Sequence, residues 1–254
     1  MNAEYKTFIE KLGRLAGDVI RPLFFNPALT VELKADASPV TVADREAEKI
    51  MRAEINRRYP AHGIIAEEFG DENAGAEFVW VLDPIDGTIS FTAGCPLFGT
   101  LIGLLHQGQP VLGLIYQPVI DQMCIGDNTL TVINGRPVRA RDTASLSAAT
   151  VLTTDLANIE KHQSLARYEQ LRRRARLTRT WGDCYGYLLV SAGLADVMLD
   201  PIMHPWDLLP LIPVVRGAGA VITAWDGGDP LTAASSVAAA PQLHAEVIRI
   251  LNGA

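Results

Sequence analysis

The feature that most constrains this chain is a buried-strand pattern that ends on two carboxylates, within residues 80–88 (Trp-Val-Leu-Asp-Pro-Ile-Asp-Gly-Thr). Residues 79–82 are bulky and mostly apolar, as an interior strand requires, and Pro84 is expected to interrupt that strand because it lacks an amide donor. Asp83 and Asp86 would then stand at a strand's carboxyl end, where α/β sheets bind ligands. Two neighbouring carboxylates repel each other unless a cation or a proton lies between them. Because Mg²⁺ prefers oxygen ligands and free amides at a helix start suit phosphate, the segment predicts a metal-assisted phosphate site.

Length and charge narrow the class of protein. The chain has 254 residues and is 48% hydrophobic, which is enough for one large domain or two closely packed ones. Its formal net charge of -7 argues against general nucleic-acid binding, because no basic surplus is available for a phosphate backbone. The basic cluster Arg172–Arg174 is interpreted as a solvated helix face rather than a binding patch.

Cysteine usage and hydropathy predict a soluble protein of a reducing cytoplasm. The cysteines are odd in number and lack metal-ligand spacing, so we expect neither a disulfide framework nor a zinc site (Cys95, Cys124 and Cys184). They are interpreted as small buried apolar residues. Charged residues interrupt the apolar positions near the N-terminus, which is unlike a secretory signal. No uninterrupted apolar run reaches membrane-spanning length.

The residue pattern changes character at about residue 141. Before it, helical spacing predicts helices over residues 4–25 and 44–58, the second capped by Thr41 or Asp44. Apolar runs separated by a polar turn predict a β-hairpin over residues 98–116. The other strands predicted here cover residues 30–34, 64–66, 119–125 and 129–133. Residues 1–141 are therefore expected to form an α+β half with an antiparallel sheet and the metal-binding motif.

After that point predicted strands and helices alternate, which indicates an α/β half over residues 142–254. The predicted strands cover residues 151–154, 178–181, 195–199 and 220–224. The predicted helices cover residues 158–174, 184–192, 208–216 and 241–251. Residues 233–240 are rich in small side chains but too few for a low-complexity segment.

Two further acids stand at the boundaries of predicted elements. Glu67 follows a predicted strand, and Asp207 begins a predicted helix. Each has a structural explanation of its own, since Asp207 suits a helix N-cap and Glu67 an exposed loop. Asp83 and Asp86 also suit a turn around proline. Turn formation explains poorly, however, why Asp83 follows an apolar strand directly and is followed so soon by a second acid.

Four segments carry a family resemblance. In chain order they are residues 39–44 (Pro-Val-Thr-Val-Ala-Asp), 66–68 (Ala-Glu-Glu), 83–91 (Asp-Pro-Ile-Asp-Gly-Thr-Ile-Ser-Phe), and Trp206-Asp207 followed by 217–219 (Gly-Ala-Gly). The last two resemble the first and second motifs of the inositol monophosphatase family. The first two resemble its N-terminal Val-Thr-x-x-Asp segment and its upstream acidic pair. The four matches occur in family order and cover nearly the whole chain.

The resemblance implies a Mg²⁺-dependent phosphomonoesterase that binds two or three metal ions. It implies a layered α-β-α-β-α sandwich of the inositol monophosphatase and fructose-bisphosphatase type. It also implies a homodimer whose substrate is a small phosphate monoester. No nucleic-acid or membrane partner is expected.

Carried over position by position, the resemblance implies a role for each site residue. The implied metal ligands are Glu67, Asp83, the Ile85 carbonyl, Asp86 and Asp207. The implied catalytic residues are Glu67, Asp44 and Thr88. Of these, Asp44 and Thr88 are implied to orient or deprotonate the attacking water. The amides implied to hold phosphate are those of Gly87 and Thr88. Lys34 matches a family lysine near the metal site.

Departures from the general family pattern indicate a substrate. Ser90 stands where the family usually has Asn, and it resembles the histidinol-phosphate phosphatase branch. Residues 180–187 and 193–200 point to the same branch, in which a Trp-Gly-Asp segment lies beside the substrate. Asp183 and Asp200 would then face the amine and imidazole of histidinol, which are cationic or readily protonated. The predicted function is hydrolysis of L-histidinol phosphate in histidine biosynthesis, with specificity residues in the C-terminal half.

Several alternatives stay open at the level of sequence. The same machinery could hydrolyse inositol 1-phosphate or another small phosphate, and a binding or regulatory protein could keep the fold without catalysis. Asp183 also suits a helix N-cap, and Trp181 and Tyr185 suit core packing. His204 is interpreted as a spectator near the metal site or a support for its ligands.

Overall fold

The computed structural model describes residues 3–33 and 39–253, which form five layers in the order helix, sheet, helix, sheet, helix. The α-helices span Ala3–Ile20 (α1), Val42–Arg58 (α2), Thr88–Thr92 (α3), Leu156–His162 (α4), Leu165–Arg174 (α5), Asp183–Ser191 (α6), Pro205–Leu208 (α7), Leu211–Gly217 (α8) and Pro241–Asn252 (α9). The strands span Val31–Leu33 (β1), Pro39–Thr41 (β2), Gly63–Ala66 (β3), Phe78–Asp86 (β4), Gly99–His106 (β5), Gln109–Gln117 (β6), Gln122–Gly126 (β7), Thr131–Ile133 (β8), Arg136–Val138 (β9), Thr150–Thr153 (β10), Leu177–Arg179 (β11), Val197–Asp200 (β12), Val221–Thr223 (β13) and Ser236–Ala239 (β14). Short 3₁₀ helices cover Arg21–Leu23, Leu146–Ala148 and Pro230–Thr232.

The first large sheet contains β3 to β9, side by side in chain order. β3 is parallel to β4, and the remaining neighbours are antiparallel, so the predicted hairpin is confirmed as β5 and β6. Helices α1 and α2 cover one face of this sheet. On α1 the buried residues Ile9, Leu12 and Ala16 recur at helical spacing. Each fully buried leucine or isoleucine of this kind contributes about 1.5–3 kcal/mol of hydrophobic stabilisation.

The second large sheet has the strand order β11-β10-β12-β14-β13. β10 is parallel to both of its neighbours, whereas β14 is antiparallel to both of its own. Helices α6, α7 and α8 pack between the two large sheets, and α4, α5 and α9 pack on the outer face of the second. The expected layered sandwich is therefore confirmed, and its second sheet is mixed.

Strand β14 received no assignment from the sequence, because its residues 236–239 (Ser-Val-Ala-Ala) carry little strand preference of their own. All of these residues are buried. Val237 and Ala239 pack with the outer helices, while Ala238 packs with the central ones. The strand thus forms from its position between two apolar layers.

Two predicted helices are each split in the structure. The helix expected over residues 158–174 is broken because Gln163 is extended and Ser164 caps α5, accepting from the Arg167 amide at 3.4 Å. The helix expected over residues 208–216 is divided into α7 and α8 at Pro210, which has no amide to donate.

The position of Pro210 also seats α7 and α8 on the first sheet. A Cβ atom at Gly113 of β6 would lie 1.9 Å from the Pro210 carbonyl oxygen, so only glycine permits this approach. α7 consequently packs against β4 and β5, which brings the start of α7 to the end of β4.

The two large sheets lie within residues 63–138 and 150–239. A division of the chain into two halves at about residue 141 stays a prediction. Across residues 3–33 and 39–253, no helix is both long enough and apolar enough to cross a bilayer.

Candidate active site

β4 carries the segment that the sequence singles out, and it runs further than expected. The strand continues through Pro84 and ends at Asp86, with a shift of register against β5 between Asp83 and Asp86. Pro84 therefore does not end the strand, as was expected, but lies within an irregularity of it. Because Pro84 has no amide hydrogen to donate, it occupies the point where the regular pairing with β5 is interrupted. The Thr100 hydroxyl donates to the Pro84 carbonyl at 2.8 Å. The irregularity leaves Asp83 buried, accepting from the Ile85 amide at 3.0 Å.

Three carboxylates meet at this point, and we call Asp83, Asp86 and Asp207 the reaction cluster. One oxygen from each lies within 4.8 Å of the others. Burial, followed by the negative charges of Glu67 and Asp86, raises the pKa of Asp83 well above its usual range. Burial and the charges of neighbouring aspartates also raise the pKa of Asp86, although a hydrogen bond from the Cys184 amide opposes this. Three mutually repelling hard oxygen donors fit a divalent cation.

Asp207 reaches the cluster from the first turn of α7. His204 occupies the N-cap position, and its amide donates to Asp207 Oδ2 at 2.7 Å. Asp207 can therefore help to cap α7 and belong to the reaction cluster at the same time. The His204 ring stacks on Trp206, with ring centroids 4.8 Å apart.

Glu67 lies at the end of β3, beside the reaction cluster. Its amide donates to the Leu82 carbonyl at 3.3 Å, which continues the pairing of β3 with β4. The negative charge of Glu67 contributes to the raised pKa of both Asp83 and Asp44. Glu67 also lines the adjoining cavity with Gly87 and Thr88.

Asp44 and Thr88 come together from the starts of two helices. Asp44 Oδ2 accepts from the Thr41 amide at 2.8 Å and from the Thr41 hydroxyl at 2.6 Å, so both residues expected to cap α2 form its capping box. The Thr88 hydroxyl lies 3.0 Å from the Ile85 carbonyl oxygen and 3.5 Å from Asp44 Oδ1. Burial raises the pKa of Asp44, while the hydrogen bonds from Thr41 act in the opposite direction.

Gly87 joins β4 to α3 with a φ of 88°, a conformation that strains other residues. A Cβ atom there would lie 2.9 Å from Asp183 Oδ2 and 3.0 Å from the Leu97 carbonyl oxygen. Glycine thus allows the Asp183 carboxylate to lie directly against the turn that carries Thr88.

Asp183 and Asp200 are linked through one hydroxyl group. The Asp183 amide donates to Thr154 Oγ1 at 2.8 Å, and that hydroxyl donates to Asp200 Oδ1 at 2.6 Å. Tyr187 donates to Asp200 Oδ2 at 2.9 Å. Burial raises the pKa of Asp200 to about 8, with the bond from Thr154 acting in the opposite direction. Burial, then the charge of Asp207, raises the pKa of Asp183 to about 7.

Two adjoining cavities, of about 480 Å³ and about 110 Å³, hold these groups together. The larger is lined by the Gly87–Ser90 turn, and the smaller by Asp86 and Asp207. A second set of polar residues, which we call the substrate rim, consists of four that line both cavities (Thr154, Asp155, Asn158 and Asp183) and Asp200, which lines the smaller one.

Sequence reasoning missed three members of the substrate rim, Thr154, Asp155 and Asn158. Asp155 is the N-cap of α4 and accepts from the Ala157 amide at 2.9 Å. Its signal was available, because Asp155 is an acid placed shortly after a predicted strand, as Asp83 is.

Three minor expectations, for Asp183, Trp181 and the burial of Cys95, were wrong. The N-cap of α6 is Gly182 rather than Asp183. Trp181, expected to pack in the core, is 42% exposed, with the Arg179 guanidinium 6.0 Å from the centre of its ring. The cysteines are free, with Cys124 and Cys184 buried and Cys95 partly exposed. Lys34 lies outside the described residues.

The layered fold gathers acidic side chains and a glycine turn at one strand end, an arrangement that suits metal-assisted chemistry on a phosphate group. Residues 1–254 match the Inositol monophosphatase family. The chain is 40% identical over 236 residues to the chloroplastic bifunctional phosphatase IMPL2 of Arabidopsis thaliana, covering 92% of this chain and 68% of that protein. It is 40% identical over 210 residues to the histidinol-phosphatase of Chlorobaculum parvum, covering 82% and 81% respectively.

Solved structures agree with these relatives. An inositol monophosphatase from Zymomonas mobilis is 36% identical and superposes with a TM-score of 0.88, covering 99% of this chain and 100% of that one. The chain therefore belongs to the inositol monophosphatase family and is a phosphatase.

Proposed function

We propose that this phosphatase hydrolyses L-histidinol phosphate, with Mg²⁺ bound at the reaction cluster. The observation that carries the proposal is the substrate rim, where Asp155, Asp183 and Asp200 line cavities beside the Gly87 turn. Carboxylates in that position favour a substrate whose far end is a cation. Histidinol has such an end in its amine and its imidazole.

The donor set supports Mg²⁺ as the metal. The proposed ligands are Glu67, Asp83, the Ile85 carbonyl, Asp86 and Asp207, and they would hold two or three ions. All are hard oxygen donors, and Mg²⁺ prefers such donors. When bound, Mg²⁺ supplies Lewis-acid chemistry, because it offsets phosphate charge and lowers the pKa of coordinated water toward neutrality.

The protein's own groups orient the water and the phosphate. The Thr88 hydroxyl donates toward Asp44 and the Ile85 carbonyl, so its own oxygen would be able to accept a hydrogen bond from the attacking water. The raised pKa of Asp44 makes its carboxylate a better proton acceptor than an exposed aspartate. The amides of Gly87 and Thr88 would bind phosphate oxygens at the turn. Glu67, which lines the same cavity as Thr88, would complete the water-activating side.

A second candidate, inositol 1-phosphate, is favoured by the likeness to the Zymomonas mobilis inositol monophosphatase. Hydroxyl groups of a polyol could also donate to the rim carboxylates. Carboxylates, however, form stronger hydrogen bonds with a cationic substrate than with the hydroxyl groups of a neutral polyol.

A substrate panel tests the proposal. We expect kcat/KM for L-histidinol phosphate to exceed that for inositol 1-phosphate, both measured with Mg²⁺. Asp183→Asn should reduce kcat/KM for histidinol phosphate much more than for a neutral aryl phosphate, which lacks the cationic end. Preference for inositol 1-phosphate would reject the substrate and leave the phosphatase assignment intact.

Homodimerisation and a place in histidine biosynthesis are proposed on the resemblance alone, and a cytoplasmic location on the cysteine usage. Light scattering of the purified protein would test the first.

A further inference from the structure

A buried carboxylate outside the reaction cluster holds the segment that follows Glu67. Glu48, on α2, has no exposed surface. Its Oε2 accepts from the Glu68 amide at 2.8 Å, and its Oε1 accepts from the Phe69 amide at 3.0 Å. These are the two residues directly after Glu67. Glu48 thus fixes the chain at the point where the Glu67 side chain leaves it.

Arg52, one turn along α2, completes this arrangement. Its Nε donates to Glu48 Oε1 at 2.7 Å, and its Nη2 donates to the Gly70 carbonyl. Its Nη1 lies 3.7 Å from a carboxylate oxygen of Glu72. The Glu72 backbone in turn exchanges two hydrogen bonds with Ile64 of β3, at 2.7 and 2.8 Å. We call Glu48 and Arg52 the α2 clamp, which binds the loop of residues 68–72.

Two side chains of α2, those of Asp44 and Glu48, contact residues of the candidate active site or the segment next to it. Asp44 and Glu48 lie one helical turn apart, so both face the same side of the helix. Asp44 meets Thr88, and Glu48 meets the backbone after Glu67. The helix sets the spacing between the proposed water-orienting pair and the proposed metal ligand Glu67.

We propose that Glu48 is a positioning residue for metal binding, and that it acts by holding the backbone on which Glu67 is carried. The inference depends on the proposed metal-dependent function. Both Glu48 oxygens already accept hydrogen bonds from the loop and from Arg52, which suits support of a ligand.

The test uses Glu48→Gln in the full-length protein. The amide group places an N–H donor where a carboxylate oxygen accepted from Glu68 or Phe69, so one loop hydrogen bond is lost. Hydrogen exchange at these two amides should become at least about tenfold faster, as expected for the loss of a charged acceptor. Mg²⁺ affinity, measured by calorimetry without substrate, should fall by about 10- to 100-fold, as for other residues that orient metal ligands. KM at saturating Mg²⁺ should change little.

Asp196→Asn is the matched control. Asp196 is also fully buried, and it accepts from the Thr150 amide at 2.7 Å and from the Thr143 hydroxyl at 2.6 Å. The Asp196→Asn variant should have a lower thermal stability, as Glu48→Gln should, but an unchanged Mg²⁺ affinity.

If Glu48→Gln does not fold, the Arg52→Lys variant provides the test. Lysine keeps the positive charge beside Glu48 but lacks the guanidinium group that reaches the Gly70 carbonyl. It should weaken Mg²⁺ binding in the same direction.

Mg²⁺ binding by the protein and the positioning role of Glu48 are tested separately by these measurements. Wild-type protein that binds no Mg²⁺ would reject the proposed metal-dependent function. Wild-type protein that binds Mg²⁺, together with a folded Glu48→Gln or Arg52→Lys variant of equal affinity, would overturn the positioning role. Faster exchange at Glu68 and Phe69 with unchanged affinity would have the same meaning.

Discussion

The reaction cluster and the substrate rim are both built from aspartates, but they balance their charge differently. In the reaction cluster, Asp83, Asp86 and Asp207 stand within 4.8 Å of one another, and burial and mutual repulsion raise the pKa of Asp83 and Asp86. In the substrate rim, Asp200 accepts from Thr154 and Tyr187, which are neutral hydroxyl donors. The carboxylates of the reaction cluster accept from backbone amides as well, but their proximity concentrates negative charge in a way that suits a divalent cation.

This difference suggests separate duties for the two regions. A crowded cluster of carboxylates favours a divalent cation, because binding removes the repulsion as well as adding attraction. A rim of acids with their own hydrogen-bond donors favours a weaker, exchangeable cation such as an ammonium or imidazolium group. The two regions touch at Gly87, where Asp183 lies against the turn that carries Thr88.

The largest expected effect comes from Asp86→Asn. The asparagine keeps an oxygen for the Cys184 amide but removes one charge from the reaction cluster. We expect kcat/KM with Mg²⁺ to fall by about 10²–10³-fold, since metal ligation supplies several kcal/mol and each 1.4 kcal/mol is about tenfold in rate. The melting temperature in EDTA should rise, because repulsion between the carboxylates is reduced.

Asp226→Asn, at a turn where the carboxylate accepts from the Gly228 amide, is the control for Asp86→Asn. The Asp226→Asn variant should change neither kcat/KM with Mg²⁺ nor the melting temperature in EDTA. Full Mg²⁺-dependent activity in Asp86→Asn would remove Asp86 from the proposed metal ligands.

Gly87→Ala should disturb both regions at once. The new Cβ would press on Asp183 Oδ2, and an alanine at a φ of 88° is strained by about 1–2 kcal/mol. Displacement of catalytic groups by about 1 Å can cost about 10²-fold in rate, so kcat/KM should fall by up to that factor. Gly135→Ala is the control, because its φ is 77° and its Cβ would meet nothing within 4 Å. Equal loss of activity in both variants would mean that backbone strain alone is responsible.

The reaction cluster was more accessible to sequence reasoning than the substrate rim. Asp83, Asp86 and Glu67 follow predicted strands, and a residue at a strand's carboxyl end can be placed at a sheet edge without knowing the rest of the fold. Asp207 could be joined to them only through the family resemblance, because its position depends on the approach of Pro210 to Gly113.

The rim depends on contacts that no short segment encodes. Thr154 links Asp183 to Asp200 across two strand–helix connections, and neither the hydroxyl nor its partners form a recognisable pattern. The α2 clamp was hidden for a similar reason. Glu48 has the spacing of an ordinary helix charge, and only the packing of α2 against the loop after β3 buries it. Strand β14 shows the same limit for the fold, since burial rather than residue preference makes it a strand.

The pH dependence of stability should distinguish Asp200 from an ordinary carboxylate. Its pKa in the folded protein is raised to about 8, so the folded state holds a proton that the unfolded state releases near pH 4. In EDTA the free energy of unfolding should therefore fall as pH rises from 5 to 8, by up to about 1.4 kcal/mol per pH unit for one such group. Asp200→Asn should flatten this slope in urea titrations. An unchanged slope would show that other acids are responsible.

The smallest expected effect comes from Asp155→Asn, which tests how far the substrate rim extends. Asparagine caps a helix as well as aspartate does, so α4 should keep its hydrogen bond to the Ala157 amide and its stability. Asp155 is only half-buried, and a partly exposed ion pair is worth up to about 1 kcal/mol. We therefore expect kcat/KM for L-histidinol phosphate to fall about two- to fivefold, with no change for a neutral aryl phosphate. Asp229→Asn, another cap that accepts from the Leu231 amide at 3.0 Å, should change neither substrate. Equal losses on both substrates would place Asp155 outside the recognition of the cationic end and confine that task to Asp183 and Asp200.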